Sequence, residues 1–169
     1  MEQPLGAFDL RSVQQPSLEF TKVACTRSLA LLVPCLSVEL KQEFVEARDA
    51  MPKHLLGFIT RYSMAQYEGM GAQLFLTTDR CGGFAIANGL LCSVFSHPGR
   101  RYGDELCASA VALGATHLTC YDHNGFLSRL YERHGFFETS RESWSRALAP
   151  ADWDYSRWGE PDYVTMERR

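Results

Sequence analysis

Two tight-turn signals near the middle of the chain constrain the fold most. The strand-like segments AQLFLTTD (72–79) and GFAIAN (83–88) are separated by RCGG, and Asn88-Gly89 leads into a third such segment, LLCSVFS (90–96). Short glycine-containing connections join antiparallel strands, and Asn-Gly is typical of two-residue hairpin turns. The sequence therefore predicts an antiparallel meander of three strands.

A helix and another strand are expected directly after the meander. The pattern predicts a helix from about Gly103 to Leu113 with Gly114 as its C-cap, then a short buried strand in THLTCY (116–121). Strand–helix–strand connections are right-handed and make the two strands parallel. Further strands are expected in FFETSR (136–141) and DYVTMER (162–168). The fold class is thus α/β, with a mixed central sheet, a parallel pair at its middle and flanking helices.

The first 70 residues have a different pattern. AFDLRSV (7–13) is expected to form a first strand, and Pro16 is expected to open a helix that runs through residues 18–33 and ends at Pro34. Ser37 can cap a second helix, whose apolar residues at helical spacing are Leu40, Phe44, Ala47 and Met51. Residues 53–70 fit either another helix or a loop that faces a substrate.

Composition narrows the class of protein. A chain of 169 residues suits one domain, and a net charge of −3 gives no global attraction to nucleic acids or membranes. The N-terminus shows no signal-peptide pattern, and the longest apolar stretch is too short to span a bilayer. Six cysteines without a CxxC pair indicate reduced, mostly buried thiols, and we expect a cytoplasmic location.

The loop SHPGRRYGDEL (96–106) is the first candidate for chemistry. It joins a strand to a helix N-terminus, where unpaired N–H groups and the helix dipole favour an anion, and Arg100 and Arg101 add positive charge. The loop lacks the GxxxxGK[ST] pattern of a P-loop. Two interpretations stay open, a phosphate-binding loop or a solvated turn with two surface arginines.

The segment DHNGFLSRLYERHGFF (122–137) carries a family resemblance. Its pattern is N-x-x-Φ-x-x-L-Y-x-x-x-G-F, formed by Asn124, Leu127, Leu130, Tyr131, Gly135 and Phe136. This resembles the signature of the GNAT N-acetyltransferase superfamily, and residues 102–124 are similar to the family's acetyl-CoA-binding motif. Gly103 and Leu106 match the end of the family pattern R/Q-x-x-G-x-G/A-x-x-L. Arg101 replaces its penultimate glycine, and Pro98 stands at its first position.

The resemblance implies one GNAT-like domain over residues 1–169. Residues 1–70 would be the variable part that shapes the acceptor site, and residues 71–169 the acetyl-CoA-binding core with the C-terminal strands. The ending also resembles a subgroup found in phages and prophages, through Ala149, Pro150, Trp153, Asp154, Gly159, Pro161, Asp162, Val164 and Met166.

The resemblance also implies roles for individual residues. In this family the two parallel strands splay apart, acyl-CoA inserts between them, and a tyrosine hydroxyl lies near the thioester sulfur. The cofactor-binding residues implied here are Val94, Phe95, Ser96, Arg100, Arg101, Tyr102, Gly103, Asp104, Asn124 and Tyr131. A tyrosine pKa of about 10 lies above a thiol pKa of about 8.5, so Tyr131 suits hydrogen bonding to the leaving thiolate.

The acceptor amine must also lose a proton. Asp122 and His123 end the strand beside the splay and are the leading candidate bases, His97 and Glu105 are further ones, and Asp122 or Asn124 could instead cap the helix that follows. A water relay without a single base is the alternative. His117, Cys120 and His123 do not share one strand face, so we expect no metal site.

The function implied is transfer of an acetyl group from acetyl-CoA to a primary amine of a protein or small molecule. A nucleobase-amine-modifying enzyme on the same fold, or a non-catalytic binding or inhibitory protein with an altered CoA loop, are the alternatives. The expected partners are acetyl-CoA, the amine and a second copy in a homodimer, with no membrane. The aromatic residues near the C-terminus either stack a base or sugar or cover one end of the sheet; they are Trp144, Trp153, Tyr155 and Trp158.

Overall fold

The fold is built on one seven-stranded sheet. The structure is a computed structural model that describes residues 32–169. The strands are β1 (Leu32–Pro34), β2 (Gln73–Thr77), β3 (Gly82–Ala87), β4 (Leu90–Ser96), β5 (His117–Asp122), β6 (Phe136–Glu142) and β7 (Asp162–Arg168). They lie in the order β1-β2-β3-β4-β5-β7-β6. Within it β4 and β5 are parallel, and every other neighbouring pair is antiparallel.

Short helices flank this sheet. They are α1 (Val38–Asp49), α2 (Lys53–Leu56), α3 (Met64–Gly69), α4 (Gly103–Ala112), α5 (Phe126–Glu132) and α6 (Tyr155–Trp158), with a 3₁₀ turn at His123–Gly125. No helix in residues 32–169 has the length and apolar composition needed to cross a membrane.

The central part of the prediction is confirmed. The meander β2-β3-β4, the helix α4, the parallel strand β5 and the two final strands all lie where the sequence indicated. Asn88 and Gly89 both have positive φ, 49° and 82°, as a two-residue hairpin turn of type I′ requires. The predicted cap of α1 is also confirmed, because the Ser37 hydroxyl accepts a hydrogen bond from the Leu40 N–H at 3.2 Å.

The N-terminal part needs a correction. Residues 32–34 form β1 and not the end of a helix, so the prediction that the helix runs to Pro34 is wrong there. Pairing with β2 explains the difference, since Leu32 lies opposite Thr77 and Pro34 opposite Phe75. The predicted strand 7–13 and the start of the helix at Pro16 lie outside the described residues. Residues 53–70 form two short helices, α2 and α3, joined by a loop.

Both faces of the sheet are covered by apolar side chains. One face packs against α4 and α5 through residues such as Phe84, Leu118 and Met166, all almost fully buried. The other face packs against α1 and α3, where Phe44 and Tyr67 lie. This two-layered burial explains why the central strands are apolar at nearly every position, as expected for a sheet covered on both sides.

The cysteines belong to these two cores. The five within residues 32–169 are free thiols, and four of them are buried: Cys35, Cys92, Cys107 and Cys120. Burial raises the pKa of Cys35 and Cys92 to about 11 and that of Cys107 and Cys120 to about 12. These four thiols therefore stay protonated at neutral pH and act as small apolar side chains.

Candidate active site

The parallel pair opens into a V. β4 and β5 pair only at Leu90–His117 and Leu91–Leu118, although both strands continue for several residues. The divergence coincides with an irregularity in β4, where the register against β3 shifts and Ser93 has a positive φ of 52°. A bulge of this kind bends its strand and increases the local twist. Beyond Leu91 and Leu118 the facing edges of the two strands are therefore separated.

A cavity of about 350 Å³ lies against β5, beyond the point where β5 parts from β4. It is lined by Leu56, Gly57, Phe58, Ile59, Thr60, Arg61, Thr119, Cys120, Tyr121, Pro150 and Tyr163. Thr119, Cys120 and Tyr121 line it on the β5 side, and all three lie beyond the last residue of β5 that pairs with β4. The facing wall is the segment 56–61, between α2 and α3. The sequence left this segment undecided, since helices of four and six residues are too short to show a clear period.

Aromatic residues from the C-terminal segment support that wall. The Trp153 ring lies so close to Gly57 that a Cβ there would be 2.7 Å from its Cε3 atom. Phe58 lies 4.9 Å from Trp153 and 5.1 Å from Trp158 between ring centroids. The Trp158 indole N–H also donates to the His54 carbonyl at 2.7 Å. Trp144 packs on Trp153 and Tyr121, so these rings pack mainly on one another and on the cavity wall.

A buried chain of hydrogen bonds also holds this wall. The guanidinium of Arg48, whose side chain is only 3% exposed, donates to the Tyr67 hydroxyl at 2.8 Å and to the Tyr62 carbonyl at 2.7 Å. The Tyr67 hydroxyl donates to Ser93 Oγ at 2.7 Å, and Ser93 donates to the Thr60 carbonyl at 2.6 Å. The chain therefore ties α1 and α3 to the bulge in β4 and to the cavity wall.

The predicted anion loop lies at the end of β4. Arg100 and Arg101 are exposed, and the Arg100 Nε lies 3.8 Å from the Asp79 carboxylate. The Tyr102 N–H donates to the Ser96 hydroxyl at 3.2 Å, which closes the loop onto the strand. Arg101 has a positive φ of 58°, a conformation that glycine adopts with least strain. The pattern that this segment resembles has glycine at the position that arginine holds here.

Asp104 in the first turn of α4 is neutralised by neighbours. Its carboxylate accepts hydrogen bonds from Arg133 at 2.9 Å and from His134 at 3.1 Å. The Arg133 hydrogen bond lowers the pKa of Asp104, against a smaller effect of desolvation in the opposite direction. The Asp104 carboxylate beside the helix N-terminus is thus paired with two cationic or hydrogen-bonding partners from the end of α5.

Tyr131 lies on the far side of β5 from the wall 56–61. It is buried in the core between α5 and the sheet, where its ring meets Phe136 edge to face at 6.0 Å. Burial raises the pKa of Tyr131 well above its ordinary value, and the nearby Cys107 and Cys120 thiols add to this rise. The phenol therefore stays protonated and can act as a donor. Cys120 packs in the same core as Tyr131 and also lines the cavity.

Asp122 forms structural contacts. Ser128 donates to its carboxylate from the hydroxyl at 2.5 Å and from the backbone N–H at 3.2 Å, and Arg141 lies 3.3 Å away. Burial alone would raise the pKa of Asp122, but the Ser128 and Arg141 interactions outweigh it and lower the pKa. The carboxylate ties the first turn of α5 to the end of β5. The N-cap residue of α5 is Gly125, so neither Asp122 nor Asn124 holds the predicted cap position.

His123 and Asn124 lie next to each other at the end of β5. His123 Nδ1 is 3.0 Å from the Trp158 carbonyl, and Nε2 is 3.0 Å from the Asn124 amide nitrogen. A carbonyl only accepts, so this arrangement places the proton of a neutral imidazole on Nδ1. Both ring nitrogens therefore have partners. His97 is also engaged, through Nε2 and the Ala47 carbonyl at 2.8 Å.

The structure brings only part of the predicted site together. Residues 94–96 at the end of β4 and 100–104 at the start of α4 are adjacent around one loop, whereas Asn124 is exposed at the end of β5. Phe95 points into the core against Phe44, so only its backbone faces the V. The sequence left the wall segment 56–61 undecided within residues 53–70, and it gave no indication of the Arg48–Tyr67 pair. No local pattern could have indicated them, because their partners lie far away along the chain.

Comparison with known proteins identifies the fold. No protein-family model and no curated protein matches the sequence. Among solved structures, spermidine N-acetyltransferase from Vibrio cholerae, in complex with CoA and spermine, superposes with a TM-score of 0.54 at 13% identity. The match covers 80% of this chain and 93% of that one.

Two further solved structures agree. The protein yncA from Salmonella typhimurium, solved with its cofactor acetyl-CoA, has a TM-score of 0.51 at 15% identity and covers 84% of this chain and 94% of its own. Ribosomal-protein-alanine N-acetyltransferase from Brucella melitensis has a TM-score of 0.50 at 14% identity, and the match covers 82% of this chain and 98% of that one. The fold of this chain is therefore the fold of the GNAT N-acetyltransferases.

Proposed function

We propose that this protein is an N-acyltransferase that moves an acetyl group from acetyl-CoA to a primary amine. The observation that carries the proposal is the open V between β4 and β5, which has the cavity on one side and Tyr131 on the other. Fold alone does not fix function, so the argument depends on these side chains.

The residues around the loop after β4 fit acetyl-CoA. Leu106 is the first residue of α4 whose N–H bonds to a preceding carbonyl, that of Tyr102. The N–H groups of the helix residues before it are therefore available to an anion, and Arg100 and Arg101 precede them in the same loop. The site has room for close approach at Gly99, where a Cβ would meet no atom within 4 Å. We assign the pyrophosphate to this loop and the pantetheine arm to the free edge of β4 at Val94–Ser96.

Tyr131 is the residue we assign to the leaving group. When bound, acetyl-CoA supplies the thioester carbonyl that the amine attacks. The bond from the carbonyl carbon to sulfur then breaks as the bond to nitrogen forms, and the electron pair leaves with the sulfur. A phenol that burial keeps protonated can donate to this sulfur as its negative charge develops.

We assign no side chain as the general base. The lowered pKa and full set of partners of Asp122 support a structural role, and both nitrogens of His123 are engaged. The amine proton then passes to water in the cavity, which is the relay alternative raised by the sequence. We also propose that residues 1–70 shape the acceptor site, since residues 56–61 form the cavity wall. The phage-type subgroup, the homodimer and the cytoplasmic location stay predictions.

Acetyl-CoA titration by calorimetry and an acceptor-dependent thiol-release assay test the proposal. We expect micromolar binding of acetyl-CoA and release of free CoA thiol that requires an added primary amine. Binding without turnover on any amine would favour the non-catalytic alternative. Turnover on oligonucleotides but not on simple amines or peptides would favour a nucleobase-modifying enzyme. Absence of acetyl-CoA binding at millimolar concentration would refute the proposed function.

A further inference from the structure

The charge at the cavity is unevenly distributed. Among the described residues that line it, Arg61 is the only charged one, and the rest are apolar or neutral polar. Arg61 belongs to the wall 56–61, which faces the free edge of β5 formed by Thr119–Tyr121. The cavity therefore has the part of β5 without a β4 partner on one side and a single cationic side chain in the facing wall.

The Arg61 side chain is partly exposed to solvent. It lies 3.8 Å from the carboxylate of Asp152, which comes two residues after the lining residue Pro150. Both side chains are accessible, 39% exposed for Arg61 and 68% for Asp152. An accessible ion pair at this distance contributes little stability, so a ligand anion could replace Asp152 at the guanidinium without a large loss. Arginine also binds carboxylates and phosphates through paired hydrogen bonds.

We propose that the acceptor is a small amine that carries an anionic group, as an amino acid does. This inference rests on the proposed function, which places the reacting amine at the V. The same molecule then places its carboxylate or phosphate at Arg61, across the cavity. A volume of about 350 Å³ is in the range for small-molecule sites. A polyamine, with positive charge along its length, would be repelled by the one charged lining residue.

Matched pairs of acceptors test this directly. Phenylalanine is compared with phenethylamine, lysine with cadaverine and phosphoethanolamine with ethanolamine, by thiol release at saturating acetyl-CoA. Each pair keeps the amine and removes the anion. We expect kcat/KM to be at least about tenfold higher for the anionic member, since a charge-assisted hydrogen bond to arginine contributes that much. The third pair distinguishes phosphate from carboxylate.

Variants assign the preference to Arg61. In Arg61→Gln the preference should fall to less than about threefold, mainly through a higher KM for the anionic acceptor, with the KM for acetyl-CoA unchanged. In Arg61→Glu the order should reverse in favour of cadaverine. Arg169→Gln, which removes the same charge next to Phe137 at the chain's end, should keep the wild-type preference. These changes are read as ratios, so a general loss of stability would not imitate them.

The outcomes separate this inference from the proposed function. Turnover with a preference for amines that lack the anionic group would overturn the inference, and so would a preference for the anionic member that survives in Arg61→Gln. Neither result would contradict the proposed acyltransferase activity. Acetylation of peptide amines only would also overturn it. If no amine is turned over, calorimetry of each matched pair with the CoA-saturated protein still compares their binding, and equal affinities would count against the role of Arg61.

Discussion

The Tyr67 hydroxyl donates a 2.7 Å hydrogen bond to Oγ of Ser93, at the position where β4 bends away from β5. Burial raises the pKa of Tyr67, although its bonds to Ser93 and Arg48 act in the opposite direction, so the phenol stays a donor. Ser93 in turn donates to the Thr60 carbonyl in the cavity wall. One phenol thus connects the bend that opens the V to the wall that faces it.

Tyr67→Phe tests this connection. The change removes two buried hydrogen bonds, to Arg48 and Ser93, and should lower the free energy of unfolding by about 1–3 kcal/mol. Because the wall shifts and the anion loop does not, KM for the acceptor should rise more than KM for acetyl-CoA. Urea unfolding and steady-state kinetics measure the two effects.

The matched control is Tyr62→Phe. Tyr62 meets the Tyr67 ring edge to face, but it accepts from Arg48 through its backbone carbonyl, which the substitution keeps. We expect little change in either measurement. Equal effects of the two substitutions would mean that loss of a phenol anywhere in this cluster, and not the Ser93 bond, is responsible.

Gly57→Ala tests the contact between the wall and Trp153. Gly57 has an ordinary helical backbone, but an added Cβ would lie 2.7 Å from Cε3 of the buried Trp153. The ring or the wall must move, and such overpacking typically costs about 1–3 kcal/mol of stability. Gly69→Ala in α3 is the control, since a Cβ there meets no atom within 4 Å. It should be neutral or slightly stabilising in thermal unfolding, and equal losses in both variants would contradict the role of Trp153.

These contacts also show which parts of the fold could be predicted from the sequence and which could not. The meander could be predicted because each turn, such as Asn88-Gly89, lies between the strands that it joins. β1 could not, because its partners in β2 are about forty residues away and it has only three residues of its own. The cavity wall depends on Trp153 and Ser93, which are distant in sequence, and no pattern within residues 56–61 points to either.

The predicted site residues divide in the same way. Tyr131 and Gly103 belong to local motifs, so their places on α5 and α4 could be predicted from the sequence. Asp122 could be placed at the end of β5, but its role depends on Ser128 and on Arg141 from a strand that follows later. The chemistry of a carboxylate is set by such partners, and a single sequence does not reveal them.

Asp122→Asn should destabilise the protein in a pH-dependent way. The folded-state pKa of Asp122 lies below its ordinary value of about 3.8 because of Ser128 and Arg141. The ionised Asp122 carboxylate therefore stabilises the fold fully above about pH 5. This stabilisation is lost as the pH falls, first below the unfolded-state pKa and then through the lower folded-state pKa. At pH 7 we expect a loss of about 1.5–3 kcal/mol.

Urea unfolding across pH checks this prediction. The difference between wild type and Asp122→Asn should shrink steadily as pH falls below 4. Glu132→Gln, an exposed carboxylate on α5, should show no comparable loss at pH 7. A difference that stays constant with pH would indicate that lost packing, and not the charge of Asp122, accounts for the destabilisation.

Arg100→Ala combined with Arg101→Ala tests the anion loop. Both arginines are exposed beside the N-terminus of α4, and charge-assisted bonds are worth about 1.5–3 kcal/mol each. CoA affinity measured by calorimetry should fall at least about tenfold. The double variant Arg146→Ala with Arg169→Ala makes the same change in net charge at the C-terminal part of the chain and should bind normally. Unchanged affinity in the first variant would place the phosphates elsewhere.

Tyr131→Phe is the most direct test of the proposed chemistry. The ring and its contact with Phe136 are kept, so thermal stability and acetyl-CoA affinity should barely change. The leaving sulfur loses its donor, and kcat should fall by about 10²–10⁴, the usual contribution of a positioned acid. KM should change much less, because the hydroxyl acts mainly as charge develops on sulfur. Tyr155→Phe, at an exposed position, should retain full activity. A fully active Tyr131→Phe would show that this residue only packs in the core, and the acid would then have to be sought along the free edges of β4 and β5.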